Sequence, residues 1–363
     1  MMRIPLKNII LFESAPSYAD NTRAVFNEFL KRGINKKYKL IWVTNDDIAF
    51  PKDIAAKNVF SVKRSEKIYK YYYIYTAKHI ICCNDFLPKA RKNQQYYYLS
   101  HGCAIKDVRG KYSAPDDIDK ADFFTLSKYF IKIEARSLNV NSEFYSALGF
   151  PRNDMLFIKT DIFSLFPDRK FTKAVYWMPT FRQHKFGASY SSISIPVIYS
   201  EETAKAVNSC AAENGVLLIV KPHPAQDVSK IKKYDLSNIV FINDEFTAKN
   251  NINNYSLLGS CDALLTDYSS VYYDFLLCDK PIGLCWEDFE EFKRREGFAV
   301  DVDTLLAGGE KIYNHSDLCS FIRAVANGED HLADERERLC SLIHDYRDGN
   351  SSKRVADYID QKL

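Results

Sequence analysis

Short hydrophobic runs alternate along the chain with longer stretches in which hydrophobic residues recur at helical spacing. Helices are expected from Asp20, which caps the first one, to Lys31, from Ser65, and from about Ser127. Six hydrophobic runs in the same part of the chain predict strands at Lys7–Phe12, Tyr38–Val43, Asn58–Val62, His79–Cys83, Tyr96–Leu99 and Asp122–Leu126. Strands that alternate with helices build parallel sheets with helices on both faces.

The same alternation begins again after a polar stretch around Asp161–Lys173. Helices are predicted at Glu201–Asn214 and Ser269–Leu277, and helical patterns continue from there to the C-terminus. Further strands are predicted at Ala174–Trp177, Val216–Val220, Asn238–Ile242, Asp262–Leu265 and Pro281–Cys285. The sequence therefore predicts two α/β domains, residues 1–165 and 166–345, and ligands of such sheets bind beyond the carboxyl ends of the strands.

Length and composition agree with two ordinary globular domains. The chain has 363 residues, of which 46% are hydrophobic and 27% charged, and this balance excludes a disordered protein. The net charge of +3 does not indicate a nucleic-acid-binding protein, although local basic patches can still meet phosphates. The 9 cysteines form no CxxC pair and no zinc-ligand pattern, which favours buried, reduced thiols in a cytoplasmic protein. No hydrophobic run reaches the roughly 18 residues of a spanning helix, so we expect a soluble or peripheral protein.

The first segment with candidate chemistry is CDALLTDYSSVYYDFLLCDKPIGLC, from Cys261 to Cys285. A buried strand leads into a polar turn at Thr266–Ser270, and a helix is expected to start at about Ser269. The unpaired N–H groups and positive dipole end of a helix start attract phosphate, and two serine hydroxyls add donors. The alternative is that Ser269 only caps the helix.

A second segment, LLIVKPHP, ends a buried strand with Lys221 and His223. Each is followed by a proline, which stops the strand and displays both side chains at its end. Two residues apart on an extended chain, they are expected to point to the same side and to clamp a diphosphate. The alternative is a solvated loop.

A third segment, YLSHGCAIKDVRGK, places His101 after a strand and beside Gly102, which allows close backbone approach. Histidine is the side chain best suited to accept a proton at neutral pH, although a lone histidine is more often structural. Lys106 and Arg109 follow as a local basic cluster. A fourth segment, WMPTFR, ends another strand with Thr180 and Arg182, and arginine suits bidentate contact with phosphate.

These segments, in this order, resemble those of the CDP-glycerol glycerophosphotransferase family of teichoic-acid and capsule enzymes over nearly the whole chain. The matching pieces are FESAPSYADNTRA at Phe12–Ala24, HG at His101–Gly102, GFPRND at Gly149–Asp154, PTFR at Pro179–Arg182, KPHP at Lys221–Pro224 and TDYSSVYYDFLLCDKPI at Thr266–Ile282. The resemblance implies an α/β fold of GT-B type, in which two Rossmann-like domains face a cleft. It also implies a final helix within residues 346–363 that crosses back to the N-terminal domain, and Ser351–Asp360 fits that helix.

The resemblance also implies roles for single residues. His101 and His223 are the expected catalytic residues, with His101 as general base, and Asp267 is expected either to hold the cytidine ribose or to orient a cation. Contacts to the donor are expected from Arg182, Thr180, Lys221, Thr266, Asp267, Ser269 and Ser270, and contacts on the acceptor side from Asp20, Asn21, Lys106 and Arg109. No metal and no cofactor is expected to be obligatory, and CDP-glycerol is the expected donor substrate.

The implied activity is transfer of glycerol phosphate from CDP-glycerol to a hydroxyl of a membrane-anchored saccharide, at the cytoplasmic face of the cell membrane. Because the chain is little longer than the family's core, a single addition is favoured over polymerisation, and a homo-oligomer is compatible with the sequence. Three alternatives remain: a CDP-ribitol donor, a GT-B sugar transferase with a nucleotide-sugar donor, and a non-catalytic binding module of a capsule assembly complex. The fold alone does not separate them.

A cluster of basic and aromatic residues lies in the first domain. Lys63, Arg64, Lys67 and Lys70 adjoin the run from Tyr71 to Tyr75. Basic and aromatic residues together suit an anionic lipid surface. However, the hydrophobic members of this cluster recur at helical spacing, and the simpler prediction is that they face the core: Ile68, Tyr71, Tyr72 and Tyr75.

Overall fold

The computed structural model describes residues 4–46, 48–109, 113–115, 121–180, 195–223, 226, 228–229 and 231–363. The strands in these ranges are β1 Lys7–Glu13, β2 Lys39–Thr44, β3 Val59–Lys63, β4 Ala77–Cys82, β5 Gln95–Tyr98, β6 Asp122–Thr125, β7 Tyr145–Ala147, β8 Lys173–Trp177, β9 Val216–Val220, β10 Ile239–Phe241, β11 Ala263–Thr266, β12 Ile282–Cys285 and β13 Glu310–Ile312.

The α-helices in the same ranges are α1 Asp20–Lys31, α2 Lys67–Thr76, α3 Lys128–Leu138, α4 Ile162–Leu165, α5 Glu201–Glu213, α6 Asp244–Lys249, α7 Asn254–Ser260, α8 Val271–Phe275, α9 Phe289–Arg295, α10 Val302–Leu305, α11 His315–Asn327, α12 Ala333–Ile343 and α13 Ser351–Asp360. Short 3₁₀ turns also occur, and the one at Leu276–Cys278 continues α8.

The strands form two parallel sheets, each in its own compact unit. Unit 1 contains the described residues up to Ala104, Val108–Asp154 and Ile343–Leu363, and its sheet has the order β3-β2-β1-β4-β5-β6-β7. Unit 2 contains Ile105–Asp107 and Met155–Leu342, and its sheet has the order β10-β9-β8-β11-β12-β13. The predicted class, an α/β fold of two units that each carry a parallel sheet, is confirmed.

Unit 1 buries hydrophobic side chains on both faces of its sheet. One face packs against α1 and α13, where Phe26, Phe29, Val355 and Ile359 share a cluster with Trp42. The other face packs against α2 and α3. Because the C-terminal helix supplies part of the first cluster, the last segment of the chain belongs to the core of unit 1.

Unit 2 has an inner strand that is hydrophobic without interruption. β9 has the sequence VLLIV and is buried at every position, as expected for a strand that is covered on both faces. Residues 155–165 belong to this unit, and not to the first domain as predicted, because Gly259 packs against the backbone of Leu156 and Thr160 N donates to Ser260 Oγ at 2.7 Å.

Several elements differ from the sequence expectation, among them the helices α4, α6 and α7, which are not predicted. β7 and β13 each have only three residues, too few to show a period, and neither is predicted. The helix expected from Ser269 begins at Val271. Of the helices that the structure describes, none is both long and hydrophobic enough to cross a membrane.

The prediction that the hydrophobic stripe of α2 faces the core is wrong. Ile68, Tyr71, Tyr72 and Tyr75 are all exposed. The helix is instead attached to unit 1 through Ile74, which joins the core, and Tyr73, which packs against it. The spacing of the large side chains therefore does not by itself show which side of this helix is buried.

Candidate active site

His101 and Asp20 form a hydrogen-bonded pair at the carboxyl edge of the unit 1 sheet. His101 follows β5, Asp20 is the first residue of α1, and His101 Nδ1 lies 2.5 Å from Asp20 Oδ2. An ionised carboxylate only accepts hydrogen bonds, so it holds the imidazole proton on Nδ1. The other ring nitrogen, Nε2, has no partner among the described residues, and the His101 side chain is 59% exposed. The arrangement provides an oriented imidazole with a free basic nitrogen at the surface.

Asp20 is almost completely buried, with its side chain 7% exposed, yet it stays ionised. Burial alone would raise the pKa of Asp20, but the charges of Arg152 and His101 outweigh burial and hold the pKa well below its usual range. Arg152 Nη1 lies 2.9 Å from Asp20 Oδ1 and donates to the carbonyl oxygen of His101 as well. This arginine is not among the residues predicted from the sequence, although it lies in the GFPRND segment.

The GFPRND segment also connects the site to the C-terminal helix. Asp154 accepts hydrogen bonds from the N–H groups of Ser351 and Ser352, at 2.8 and 2.7 Å, and so closes the start of α13. Gly149 has a φ of 78°, and a Cβ there would lie 2.4 Å from Ser351 Oγ. Only glycine meets both conditions without strain.

Asn21 fixes the backbone around the pair. Its side chain is fully buried, donates to the carbonyl oxygen of Ser100 at 2.8 Å, and accepts from Arg152 N at 3.0 Å. Asp20 and Ser100 both have positive φ angles, 62° and 58°. Left-handed backbone at non-glycine residues is costly and concentrates at functional sites. The amide of Asn21 therefore holds the backbone around the site and is not presented to an acceptor substrate.

Glu134 anchors the chain that follows His101. Its carboxylate on α3 accepts from Ala104 N at 2.8 Å, and the residue is 4% exposed. Burial raises the pKa of Glu134 to about 7, although the N–H of Ala104 opposes the shift. No sequence pattern identifies Glu134, because in the sequence it is one of several polar positions of an amphipathic helix.

Glu13 is a second buried carboxyl at the same edge of the unit 1 sheet, at the end of β1. Its Oε1 lies 3.0 Å from Arg64 Nη2, which also pairs with Asp85 at 2.9 Å. Burial, and then the charge of Asp85, raise the pKa of Glu13 to about 7, against the opposing N–H groups of residues 84 and 85 and Arg64. Sequence reasoning missed Glu13 because it ends a strand as a single polar residue.

In unit 2, Asp267 joins the carboxyl ends of two neighbouring strands. It follows β11 and accepts from Thr180 N, beyond β8, at 2.9 and 3.1 Å, and also from the Thr180 hydroxyl. Thr266 Oγ1 donates to Met178 O at 2.9 Å. Thr266 and Asp267 are fully buried. Three residues predicted to contact the donor substrate therefore use their polar groups to hold the turn together: Thr180, Thr266 and Asp267.

Ser269 and Ser270 complete the same turn in a different way. Both are half-buried, and neither hydroxyl has a partner among the described residues. Ser270 occupies the position before α8 and makes no side-chain capping bond. The interpretation of Ser269 as a helix cap is therefore not borne out, and both hydroxyls are available to a ligand.

Lys221 and His223 follow β9 at the same edge of the unit 2 sheet. Lys221 Nζ lies 2.9 Å from Asp244 Oδ1, and its side chain is only 13% exposed. His223 is exposed, and its carbonyl oxygen accepts from Gln226 N at 2.8 Å. Lys221 is thus charge-balanced within the protein, whereas the imidazole of His223 reaches the surface.

Two predicted basic residues on the acceptor side fall in different units. Ile105–Asp107 belongs to unit 2, where Lys106 pairs with Phe298 in an antiparallel bridge and its Nζ lies 5.5 Å from the ring centroid of Phe292. This corrects the assignment of Lys106 to the first domain, because the backbone pairing is with unit 2. Arg109 is exposed and belongs to unit 1. Arg182 lies outside the described residues.

Within the described ranges of the chain, no group of three or more His, Cys, Asp or Glu side chains is arranged to hold a metal ion. All 9 cysteines lie in the described ranges: 7 are buried, Cys278 and Cys319 are half-buried, and none is joined in a disulfide.

The sequence is similar to enzymes of wall teichoic acid synthesis. It is 24% identical to the teichoic acid ribitol-phosphate polymerase TarL of Staphylococcus aureus over 96% of this chain and 61% of that protein. It is 22% identical to the teichoic acid glycerol-phosphate primase of Bacillus subtilis over 96% of this chain and 91% of that protein. The chain thus spans about three fifths of TarL and nearly all of the primase.

A solved structure of the wall teichoic acid polymerase TagF aligns with a TM-score of 0.74 at 19% identity, over 98% of this chain and 90% of that one. A TagF variant soaked with CDPG aligns with the same TM-score. This likeness confirms the predicted fold class of GT-B type. The sequence pattern of the CDP-glycerol:poly(glycerophosphate) glycerophosphotransferases matches residues 2–361. The chain therefore belongs to that family.

Proposed function

We propose that this protein transfers a polyol phosphate, glycerol phosphate in the first place, from a CDP-activated donor to a hydroxyl of a membrane-anchored saccharide, and releases CMP. The observation that carries the proposal is the His101–Asp20 pair, which provides an oriented base at the end of a strand. The acceptor is of the teichoic-acid or capsule type, and the protein works at the cytoplasmic face of the membrane.

In this reaction the Nε2 atom of His101 accepts the proton of the acceptor hydroxyl. The oxygen attacks the donor's β-phosphorus, an O–P bond forms, the bond from that phosphorus to the bridging oxygen breaks, and CMP departs with the electron pair. Asp20 keeps the proton on Nδ1 and stabilises the imidazolium that results. General base catalysis of this kind contributes about 10²- to 10⁴-fold in rate.

The phosphate-binding role belongs to unit 2. Ser269 and Ser270 offer hydroxyls without partners among the described residues, and the exposed His223 either binds the diphosphate or protonates the departing phosphate. Arg182 is assigned to the donor phosphates on the family resemblance. Asp267 and Thr180 shape the turn, and Lys221 at the end of β9 adds a cation whose charge Asp244 partly offsets. With these groups supplying the charge, no metal and no cofactor is required in this account.

CDP-ribitol is the second candidate donor. The relative TarL carries ribitol phosphate in its name, whereas the Bacillus subtilis primase carries glycerol phosphate. The two donors share the cytidine and the diphosphate, so the groups described above suit both. A nucleotide-sugar transferase and a non-catalytic module are less well supported, because the base at His101 and the serine turn fit phosphoryl transfer.

The test is CMP release by the purified chain with CDP-glycerol, CDP-ribitol or a UDP-sugar, in the presence of a lipid-linked saccharide and detergent, with and without EDTA. We expect acceptor-dependent release from one CDP-polyol and unchanged rates in EDTA. Turnover of the UDP-sugar but of neither CDP-polyol would contradict the proposal and would show that the protein is a sugar transferase. A rate that disappears in EDTA and returns with Mg²⁺ would contradict the metal-free account.

A further inference from the structure

The outer face of α2 exposes five large side chains next to one another. Ile68 is 84% exposed, Tyr69 63% and Tyr71 55%, and Tyr72 and Tyr75 follow on the same side of the helix. We call these five residues the aromatic stripe. Four of them occupy positions i, i+3, i+4 and i+7, which lie along one side of a helix. A contiguous exposed hydrophobic surface marks a place where a protein meets another molecule or a membrane.

Folding of unit 1 does not require the aromatic stripe to be covered. The opposite side of α2 supplies Ile74 to the core, and Tyr73 packs against the same cluster. Gln94 holds the end of the helix by donating to the carbonyl oxygen of Ile74 at 2.6 Å. The five stripe residues are therefore left over after the internal contacts of the helix are complete.

Basic side chains accompany the aromatic stripe. Lys67 is exposed in the first turn of α2, and the sequence from Lys67 to Thr76 contains neither Asp nor Glu. Three further cations lie 5.0 to 5.2 Å from the centroids of stripe rings: Lys70 over Tyr71, Lys7 over Tyr72 and Arg91 over Tyr75. The surface thus combines tyrosine rings with positive charge.

We propose that the aromatic stripe and its basic side chains dock onto the headgroup region of an anionic lipid bilayer. Tyrosine rings favour the membrane–water interface because one end is hydrophobic and the other forms hydrogen bonds. Lysine and arginine beside them attract anionic headgroups, and the absence of acidic residues on the helix removes the opposing repulsion. This charge complementarity favours a lipid surface over the hydrophobic groove of a protein partner, which gains nothing from cations over three of the four rings.

The docking surface suits a membrane-anchored acceptor, and in this respect the inference rests on the proposed function. β3 ends at Lys63 and α2 begins at Lys67. In a parallel sheet the carboxyl ends of β3 and β5 lie at one edge, and His101 follows β5. The first turn of α2, with Lys67 and Ile68, therefore lies toward the same edge of unit 1 as His101.

The experiment is co-sedimentation of the full chain with phosphatidylcholine vesicles and with vesicles that also contain phosphatidylglycerol. We expect at least tenfold stronger binding to the anionic vesicles, weakening as salt is raised. Ile68→Ser with Tyr71→Ser should lower the partition coefficient at least tenfold, and Lys67→Gln roughly fivefold. Two exposed residues of unit 2 provide matched controls, Tyr313→Ser and Lys249→Gln, which should bind as the wild type does.

Failure of the wild type to bind anionic vesicles would overturn the inference, as would equal binding of the Ile68→Ser/Tyr71→Ser variant. Loss of self-association in that variant, without vesicle binding by the wild type, would reassign the surface to a second copy of the chain. CMP release with a short soluble acceptor, measured on the same proteins, separates the two proposals. Vesicle binding without any CMP release would count against the proposed function alone.

Discussion

Arg152 donates from Nη1 to both carboxylate oxygens of Asp20, at 2.9 and 3.2 Å, and to the carbonyl oxygen of His101. One guanidinium therefore fixes the residue that orients the imidazole and the backbone that carries it. The Arg152 side chain is 6% exposed, so water competes little for these bonds. The orientation of His101 depends on a residue that need not touch a substrate.

Arg152→Met should remove both activity and stability. It leaves Asp20 as a buried carboxylate without its main cation, which costs about 3–5 kcal/mol of unfolding free energy. Urea denaturation measures this loss. Lys205→Met, which breaks an exposed pair with Glu201, is the matched control and should leave the free energy of unfolding nearly unchanged. Equal losses in the two variants would contradict the assignment.

Asp20→Asn should lower kcat by about 10²- to 10⁴-fold and leave KM for the donor within about twofold. Asparagine tolerates the left-handed backbone at this position, so the fold is kept, but its amide no longer fixes the proton on Nδ1. Steady-state CMP release gives both constants. Asp53→Asn, at a half-exposed carboxylate of the same unit, should leave both unchanged. A variant whose KM rises while kcat holds would show that Asp20 binds substrate instead.

Glu134→Gln should stabilise the protein relative to wild type as the pH rises. The pKa of Glu134 is raised from 4.5 to about 7 in the folded protein, so the folded state binds more protons than the unfolded state between these values. The stability of the wild type therefore falls over this range, whereas glutamine does not titrate and keeps an acceptor for Ala104 N.

The free-energy difference between the Glu134→Gln variant and wild type should move in favour of the variant by about 1–3 kcal/mol between pH 5 and pH 8. Urea denaturation at the two pH values measures it. Glu143→Gln, at an exposed position of the same unit, is the control for the substitution itself. A flat profile for Glu134→Gln would mean that the carboxyl ionises normally.

Asp267→Asn should raise KM for the donor and reduce stability by about 1–3 kcal/mol, since the buried hydrogen bonds to Thr180 weaken. Asp262 offers a matched control, because it ties the same two strands at their opposite ends by accepting from Ala174 N at 2.8 Å. Asp262→Asn should lose similar stability with donor KM unchanged. Parallel changes of KM in both variants would remove the special role of the Asp267 turn.

The sequence predicts the sheets well because buried parallel strands are continuous hydrophobic runs. β9 is found at Val216–Val220 as predicted, and α13 occupies Ser351–Asp360. Residues that act through tertiary contacts are harder to assign. The sequence predicts that Asp267, a polar residue of a turn, contacts a ligand. In the structure its carboxylate instead accepts a hydrogen bond from Thr180, which is far away in sequence.

Arg152 and the α2 helix show two further limits of the sequence. Arg152 and Asp20 are 132 positions apart in the sequence, so no local sequence pattern predicts their contact. In α2, Tyr71 is exposed and Ile74 is buried although they lie only three positions apart, and the packing of unit 1 decides which one is covered. Periodicity predicts the helix but not the direction in which it faces.

The most direct test of the account is acceptor-dependent CMP release from the CDP-polyol by His101→Ala, with His315→Ala, an exposed histidine of unit 2, as the control. The account predicts a loss of about 10²- to 10⁴-fold for His101→Ala and none for the control, with both variants folded. A His101→Ala enzyme that keeps its rate within about fivefold of wild type would contradict the assignment of His101 as the base.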